Sequence, residues 1–367
     1  MKKNRPGVES GKESFPLEIH HAAFVREGIM VAMPLGFPGA TTAIDPNDGR
    51  ITALALRRDD WYETIYGGTS GKRAHVFLGW LRGVTGVIVD LGGDGESTGT
   101  AGVASTRDLV VAAVNGPKGG RILSRQHPPI SYDCIQEWTM DVHPLKVAGE
   151  VPGARIEAIE ANAAGTGVIG ASTAGLFTWS PKGKKIEPGP DLAVIRLVRD
   201  GTGALFAVSD DGGVWLISEG KTGVRAKKLA RLSGDFGRAT ACDAGPDGGI
   251  FLAAVDGTVF HVGRSGRVRK LGRTHLKPIT CLAAVPDGRL FGFCGNEISN
   301  LFVYEPWKGK FRDLGVALSV LNRRRYGYEF SCAVTNRDGH VLFGEGDRGG
   351  HLWILFPSLA TGRDKWR

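Results

Sequence analysis

The sequence predicts an all-β protein assembled from repeated antiparallel hairpins. Glycine accounts for 55 of the 367 residues, about twice its average usage, and it is spread evenly without a G-X-Y period. Glycine of this density is typical of many tight turns. No stretch carries apolar residues at i, i+3, i+4 and i+7 over three turns, so long amphipathic helices are not expected. Many short strands with frequent turns are the interpretation that fits.

Asp-Gly pairs divide the second half of the chain into repeats. They are Asp200-Gly201, Asp247-Gly248, Asp287-Gly288 and Asp338-Gly339, separated by 47, 40 and 51 residues. An Asp-Gly pair between two apolar runs predicts a hairpin turn, because glycine tolerates positive φ. A third strand follows each hairpin (GGVWLIS, GTVFHVG, NLFVYEP, GHLWILF), and a basic or polar fourth strand often comes next. Four antiparallel strands in about 40–45 residues predict the blade of a β-propeller.

The first half of the chain contains weaker versions of the same unit. They cover residues 17–58, 60–97, 98–150 and 155–192, which brings the total to eight hairpin-centred units. If the N-terminal segment completes the last unit, the count becomes seven. We therefore expect a single propeller over residues 17–359 with eight blades, and seven as the alternative. Residues 1–16 are predicted to form a flexible N-terminal segment and residues 360–367 a C-terminal tail.

This pattern resembles the Asp-Gly-punctuated β-propellers, which include NHL-type repeats, gluconolactonase-like propellers and propeller polysaccharide lyases. The resemblance covers nearly the whole chain and implies the fold. It carries no catalytic residue from any one of these families, and a fold alone does not define a function.

Charge and cysteine content limit the partners and the compartment. The net charge of +8 permits an anionic partner, but aromatic residues do not interleave the basic clusters, so nucleic acid is not expected. No apolar run approaches the ~18 residues of a membrane span. Five cysteines without a CxxC motif fit a reduced compartment, and we expect a cytoplasmic protein. Cys242, Cys281 and Cys332 occupy one phase of the repeat and are predicted to be buried thiols.

The connections between second and third strands differ most between units. In a propeller these loops lie on the face that usually carries the site, and most of them are short here. Three are longer and rich in polar residues: Ser70, Lys72, Arg73 and His75; Asn296, Glu297, Ser299 and Asn300; and Glu345, Asp347, Arg348 and His351. These units are predicted to span one arc of the ring, with the first unit between the last and the second.

Within these connections, His75, Asn300 and His351 coincide when the units are aligned on the following aromatic residue. A repeated His or Asn before a strand can also simply tie down its own turn. Glu345 is expected to need a partner such as Arg348 or a ligand, because an unpaired buried charge is costly. His21 and Tyr328 lie near predicted inner strands.

Arginine, histidine, tyrosine and amide groups on one arc suit an anionic, hydroxyl-rich ligand such as an acidic oligosaccharide. The leading hypothesis is a carbohydrate-active propeller, a lyase that eliminates across a uronate. His351 or His75 would act as base or acid, with Tyr328 as the other proton-transfer group. Arg348 and Arg73 would hold the carboxylate. The remaining predicted substrate-binding residues are Ser70, Asn296, Glu297, Asn300, Glu345, Asp347 and His21.

Two alternatives belong to other classes. Glu345, Asn296, Glu297 and Asp347 offer hard oxygen ligands for a divalent ion such as calcium or manganese, which predicts a lactone or ester hydrolase of the gluconolactonase type. No cofactor is required by the leading hypothesis. The third possibility is a non-enzymatic propeller that binds a ligand or a protein partner through the same arc.

Overall fold

The structure is a computed structural model, and it describes residues 21–25, 28–34, 50–57, 64–80, 87–127, 145–183, 185–220, 223–232, 236–317, 327–346 and 350–357. Only the backbone is described for residues 21–25, 28–34, 80, 87–89 and 351. The predicted N-terminal segment 1–16 and C-terminal tail 360–367 lie outside the described residues. All described regular structure is β-strand apart from a short turn of 3₁₀ type at Pro357, and no α-helix is present among these residues.

Four sheets in the middle and second half of the chain each contain four consecutive antiparallel strands. The first two sheets are β11–β14 and β15–β18: Ile156–Ala161, Val168–Ser172, Gly175–Trp179 and Ile186–Pro188; then Arg196–Arg199, Leu205–Val208, Gly213–Gly220 and Gly223–Arg231. The next two are β19–β22 and β23–β26: Ala239–Ala244, Ile250–Ala254, Thr258–Val262 and Val268–Arg273; then Ile279–Ala284, Leu290–Cys294, Asn300–Glu305 and Lys310–Val316. These sheets confirm the predicted four-stranded unit.

An eight-stranded sheet precedes them and consists of two four-stranded sets. The sets are β3–β6 and β7–β10: Arg50–Leu56, Ile65–Ser70, Val76–Trp80 and Val87–Asp90; then Gly99–Ser105, Leu109–Gly116, Gly119–Gln126 and Lys146–Pro152. A single antiparallel pair, Ser70 with Gly99, joins the two sets. Each set therefore has the strand order of one blade.

The last sheet combines both ends of the chain. Strands β27, β28 and β29 (Phe330–Thr335, Val341–Glu345 and His351–Leu355) are followed in the sheet by β2 (Gly28–Pro34) and β1 (His21–Val25). Met30 pairs with Leu355 and Pro34 with His351, so the N-terminal segment extends the final blade. The predicted unit over residues 17–58 is thus divided, because its strand Arg50–Leu56 pairs with Ile65–Ser70 instead. The backbone groups of β29 take their hydrogen bonds from β2, which removes an open edge.

Three of the four Asp-Gly pairs occupy the same place in their hairpins. Gly248, Gly288 and Gly339 have φ values of 98°, 87° and 82°, and each amide donates a hydrogen bond to the carbonyl three residues earlier. In the first hairpin, Gly203 has this role, with a φ of 89°. Asp200-Gly201 is therefore out of phase by two residues, and Asp200 instead begins its turn.

The innermost strands of the sheets, β3, β7, β11, β15, β19, β23 and β27, contact one another in chain order, and β27 lies against β3. Apolar side chains from facing sheets fill the space between them, including Phe293, Phe330, Phe343 and Trp353. Second strands often carry a glycine beneath an aromatic residue of the third strand, as Gly170 does beneath the ring of Phe177. These close approaches explain part of the glycine content.

Of the three cysteines predicted to be buried, Cys281 is buried, whereas Cys242 and Cys332 are half-buried. Cys281 and Cys332 occupy the same position, paired with Phe293 and Gly344, whereas Ala241 holds that position in the β19–β22 sheet. Cys242 comes one residue later, so the predicted common phase holds for two of the three. Burial raises the pKa of the Cys242 and Cys332 thiols to about 12. In the described part of the chain, no helix has the length and apolar character needed to cross a membrane.

Candidate functional site

The three long connections lie on neighbouring sheets. Strand β23 contacts β27, and β27 contacts β3, without another described sheet between them. The Ser299 amide donates to the Tyr328 carbonyl over 2.8 Å, and the Ser331 hydroxyl donates to the Ile51 carbonyl. We call the surface formed by residues 70–75, 295–300, 327–329, 345–346 and 350–351 the arc. Its sheets adjoin directly because the predicted first unit does not stand between them.

His75 lies at the start of β5 and contacts an aspartate that the sequence analysis missed. Its Nδ1 is 2.9 Å from Oδ2 of Asp90, and both side chains are about nine-tenths buried, with 10% exposed. The backbone holds the histidine in place, since its amide donates to Thr69 Oγ1 over 3.0 Å. Asp90 Oδ1 accepts a 2.7 Å hydrogen bond from the Gly92 amide. An imidazole fixed by a carboxylate in this way has a defined orientation, as a general base requires.

Asn300 makes the corresponding contact in the β23–β26 sheet. Its Nδ2 lies 3.3 Å from both carboxylate oxygens of Asp313, and His275 Nε2 lies 3.2 Å from Asp313 Oδ2. Phe77 pairs with Asp90 and Phe302 pairs with Asp313, so the two aspartates hold the same register position. The alignment of His75 with Asn300 is therefore structural as well as sequential. A turn-tying role is therefore one interpretation of both contacts, and catalysis by the imidazole of His75 is the other.

Glu345 ends strand β28 and is fully buried. Its Oε2 accepts a 3.4 Å hydrogen bond from the indole Nε1 of Trp353. The expected need for a compensating contact is thus met in part by a neighbouring aromatic residue of the same sheet. Arg348, its predicted partner, and Asp347 lie outside the described residues. His351 and His21 are described by their backbone alone, the first in β29 and the second in β1.

The loop before Asn300 presents both polar and apolar groups. Asn296 and Glu297 are exposed, and Glu297 has a φ of 65°, which is unusual for a residue other than glycine. Ser299 is fully buried beneath them. Ile298 and Tyr328 are 44% and 43% exposed. The backbone hydrogen bond from Ser299, the residue after Ile298, to Tyr328 places both in the same part of the arc.

The connection after β4 is the most basic part of the arc. Lys72 and Arg73 are exposed at a bend, whereas Ser70 is half-buried. Ser70 Oγ lies 3.0 Å from Thr52 Oγ1 and accepts a 3.3 Å hydrogen bond from the Thr100 amide. Ser70 therefore joins the arc to the innermost strands, and Arg73 remains available to an anion in solvent.

A metal site is not assembled by the described side chains. No group of three or more His, Cys, Asp or Glu side chains is arranged to hold an ion within these residues. Of the four predicted oxygen ligands, Glu345 is buried, Asn296 and Glu297 are exposed, and Asp347 is not described.

The four-stranded antiparallel sheets arranged around the innermost strands define the chain as a β-propeller. No protein-family model matches the sequence, and a comparison with curated proteins gives no match. Among solved structures, a streptogramin B lyase is similar with a TM-score of 0.61 and 10% identity, over 84% of this chain and 95% of that one. The WD40 β-propeller domain of Doa1 is similar with a TM-score of 0.57 and 11% identity, over 84% and 93% of the two chains. At these identities the likeness concerns the fold.

Proposed function

We propose that the chain is a carbohydrate-active propeller that binds acidic oligosaccharides on the arc and acts on them as a uronate lyase. The contact between His75 and Asp90 carries this proposal, because it holds an imidazole in one orientation beside the basic residue Arg73. The lyase named among the similar folds agrees with elimination as a reaction class for this scaffold. His351, Arg348 and Asp347 would complete the arc.

In the proposed reaction, the imidazole of His75 removes the proton α to the uronate carboxylate. The electron pair of that C–H bond forms the new carbon–carbon double bond as the bond to the 4-linked oxygen breaks. The departing oxygen takes a proton from an acid, for which Tyr328 is the candidate. Arg73 and Arg348 would pair with the carboxylate and stabilise the charge that develops on it.

The matched pair of polar contacts provides the test. His75→Ala is expected to lower elimination by about 100-fold or more, as measured by the ultraviolet absorbance of the unsaturated product, because a general base is worth roughly that factor. Asn300→Ala removes the equivalent contact in the other sheet and is expected to lower the rate far less than His75→Ala, because it removes no proton-transfer group. Thermal unfolding of both variants checks that the fold is retained. Equal rates in His75→Ala and the unmodified protein would refute the mechanism.

A second candidate is a propeller that binds an anionic ligand or a protein without chemistry. The equivalence of the His75–Asp90 and Asn300–Asp313 contacts favours it, since one device in two sheets is explained by turn geometry alone. The exposed side chains of Ile298 and Tyr328 would suit a protein partner. Binding of acidic oligosaccharides without formation of unsaturated product would support this candidate. A calcium- or manganese-dependent hydrolase ranks lower, and its activity would disappear on chelation.

We also infer that the ring has seven blades. The order of contacts among the innermost strands supports this number, together with the pairing of β2 with β29. An experimental structure with a further sheet between β27 and β3 would contradict it. The free thiols of Cys242, Cys281, Cys294 and Cys332 support the proposal that the protein works in the cytoplasm.

A further inference from the structure

A central cavity lies among the innermost strands, below the arc. It has a volume of about 240 Å³, and backbone and side chains of strands β3, β7, β11, β15, β19, β23 and β27 line it. Its polar side chains are Thr52, Glu157, Arg196, Thr240, Thr280 and Ser331. The 3.0 Å contact of Thr52 Oγ1 with Ser70 Oγ connects the cavity wall to the arc. The cavity is therefore distinct from the arc but next to it.

Arg196 is an exception at its position in the repeat. It pairs with Val208 in the same register as Ala241 with Ala253 and Cys281 with Phe293. The equivalent positions in the other sheets hold only small residues: Ala53, Gly102, Ala158, Ala241, Cys281 and Cys332. Most of these small residues are buried, whereas Arg196 is exposed. A long cation in a layer of small side chains occupies the open centre of the ring.

The guanidinium of Arg196 extends into the cavity. Its positive charge acts on the thiols of both Cys242 and Cys332, which belong to different sheets, although burial dominates and raises the pKa of each thiol. Nη1 donates a 2.8 Å hydrogen bond to the carbonyl of the adjacent Ile195. Among the described residues, the Arg196 guanidinium makes this hydrogen bond to Ile195 and no ion pair with a carboxylate, so N–H donors remain for a ligand.

The surrounding hydroxyl groups act as acceptors toward the cavity. Their protons are directed to backbone carbonyls: Thr52 donates to Thr100 over 2.8 Å, Thr280 to Phe293 over 3.4 Å, and Ser331 to Ile51. Each hydroxyl oxygen then retains acceptor capacity. Glu157 stands on β11, the neighbour of the strand that carries Arg196, and adds a carboxylate acceptor. The cavity thus combines one guanidinium with several hydrogen-bond acceptors.

We propose that this cavity binds a small polyhydroxylated carboxylate, a sugar acid, with the carboxylate on Arg196. The planar guanidinium matches a carboxylate with two parallel hydrogen bonds. The ligand hydroxyls donate to Glu157 and to the oxygens of the threonine and serine side chains. A carboxylate without hydroxyls binds only to the guanidinium of Arg196, and a neutral sugar binds only to the acceptor oxygens. Neither ligand therefore uses all the hydrogen-bonding groups of the cavity. This inference does not depend on elimination at the arc.

The test is calorimetric titration of the full chain with glucuronate, and with acetate and glucose as ligands that carry half of the recognised groups. Glucuronate is expected to bind more tightly than either. Arg196→Gln is expected to lower the affinity for glucuronate about tenfold or more, since it removes a charge-assisted bidentate contact. Arg269→Gln is the matched control: it makes the same charge change on the exposed outer strand β22 and is expected to bind like the unmodified protein.

Two further variants sharpen the result. Arg196→Lys keeps the charge without the fork and is expected to bind with intermediate affinity. Glu157→Gln removes a carboxylate acceptor of the ligand hydroxyls and is expected to weaken the binding of glucuronate more than that of acetate, which has no hydroxyl to donate. Unchanged binding in Arg196→Gln, an equal loss in Arg269→Gln, or glucuronate binding no tighter than acetate would each overturn the proposal. Loss of binding in His75→Ala but not in Arg196→Gln would assign the ligand to the arc and also overturn it. Arg196-dependent binding in a protein without elimination activity would leave this inference intact and refute only the lyase.

Discussion

Asp200 is expected to be one of the most important polar residues for the stability of the ring. The side chain is 1% exposed and begins the hairpin between β15 and β16. Its Oδ1 accepts hydrogen bonds from the Thr202 amide (2.9 Å), the Thr202 hydroxyl (2.7 Å) and the Ala204 amide (2.9 Å). Its Oδ2 accepts a 2.9 Å hydrogen bond from the Gly249 amide of the next sheet. One carboxylate therefore closes its own turn and fastens two blades together.

The magnitude follows from the donors that lose their acceptor. In Asp200→Ala, the buried amides of Ala204 and Gly249 are left unpaired, at about 1–3 kcal/mol each, while water replaces the bond to the exposed Thr202. We expect a loss of about 3–5 kcal/mol in the free energy of unfolding. Asp200→Asn keeps one carbonyl oxygen and is expected to cost about 1–3 kcal/mol. Thr202→Ala, which leaves the carboxylate in place, is expected to cost less than either.

Urea unfolding at neutral pH measures these differences, and amide exchange at Gly249 locates the loss at the contact between sheets. Burial tends to raise the pKa of Asp200, but the hydrogen bonds from Thr202, Gly249 and Ala204 outweigh it and hold the pKa below its usual value. The stabilisation is thus complete above about pH 4 and is lost as the pH falls through the lowered pKa. The difference in the free energy of unfolding between the unmodified protein and Asp200→Asn should become smaller in that pH range. A cost below about 1 kcal/mol for Asp200→Ala would refute the argument.

Two other predictions concern packing and closure. Gly170→Ala would place a Cβ 2.0 Å from the ring of Phe177, so we expect a loss of about 2–3 kcal/mol on urea unfolding, whereas Gly183→Ala, whose Cβ would meet Ser180 at 3.5 Å, should be nearly neutral. Deletion of residues 1–34 exposes the edge of β29 and should lower the melting temperature and cause self-association in size-exclusion chromatography. Deletion of residues 1–16 leaves strands β1 and β2 in the chain and is the control; equal behaviour of the two truncations would contradict the role of β2.

The repeat was predictable because local chemistry determines it. A turn with positive φ requires glycine, and an aromatic residue that crosses a second strand requires a residue without a Cβ, so both features leave a regular trace in the sequence. The predicted phase of the first Asp-Gly pair was wrong because Asp200 and Gly201 match the later pairs in residue type but not in their position in the turn. The hydrogen bond from Asp200 to Gly249 joins residues 49 positions apart. No local pattern reports such a contact.

The division of the first unit was not predictable for a related reason. Strand Gly28–Pro34 could pair within its own unit or with the last strand of the chain, and the two choices place similar apolar residues in similar sheets. The pairing with His351–Leu355 is decided by ring closure, which brings the ends of the chain together. Asp90 was missed for the same kind of reason, because its relation to His75 depends on the register between β5 and β6.

Differences between repeats have two physical origins, and the structure separates them at two places. His75 and Asn300 differ in chemistry but share one structural contact, since each contacts the aspartate at the same register position of its fourth strand. A change of residue type there is compatible with one structural device. Arg196 differs in kind, because a long cation replaces small side chains, while the pairs from Arg196 to Arg199 match those from Ala241 to Ala244. No feature of the fold requires a guanidinium at the centre of the ring. Burying the charge of Arg196 would be costly, and the open cavity avoids that cost. Because the guanidinium has no carboxylate partner among the described residues, ligand binding explains it more directly than stability does.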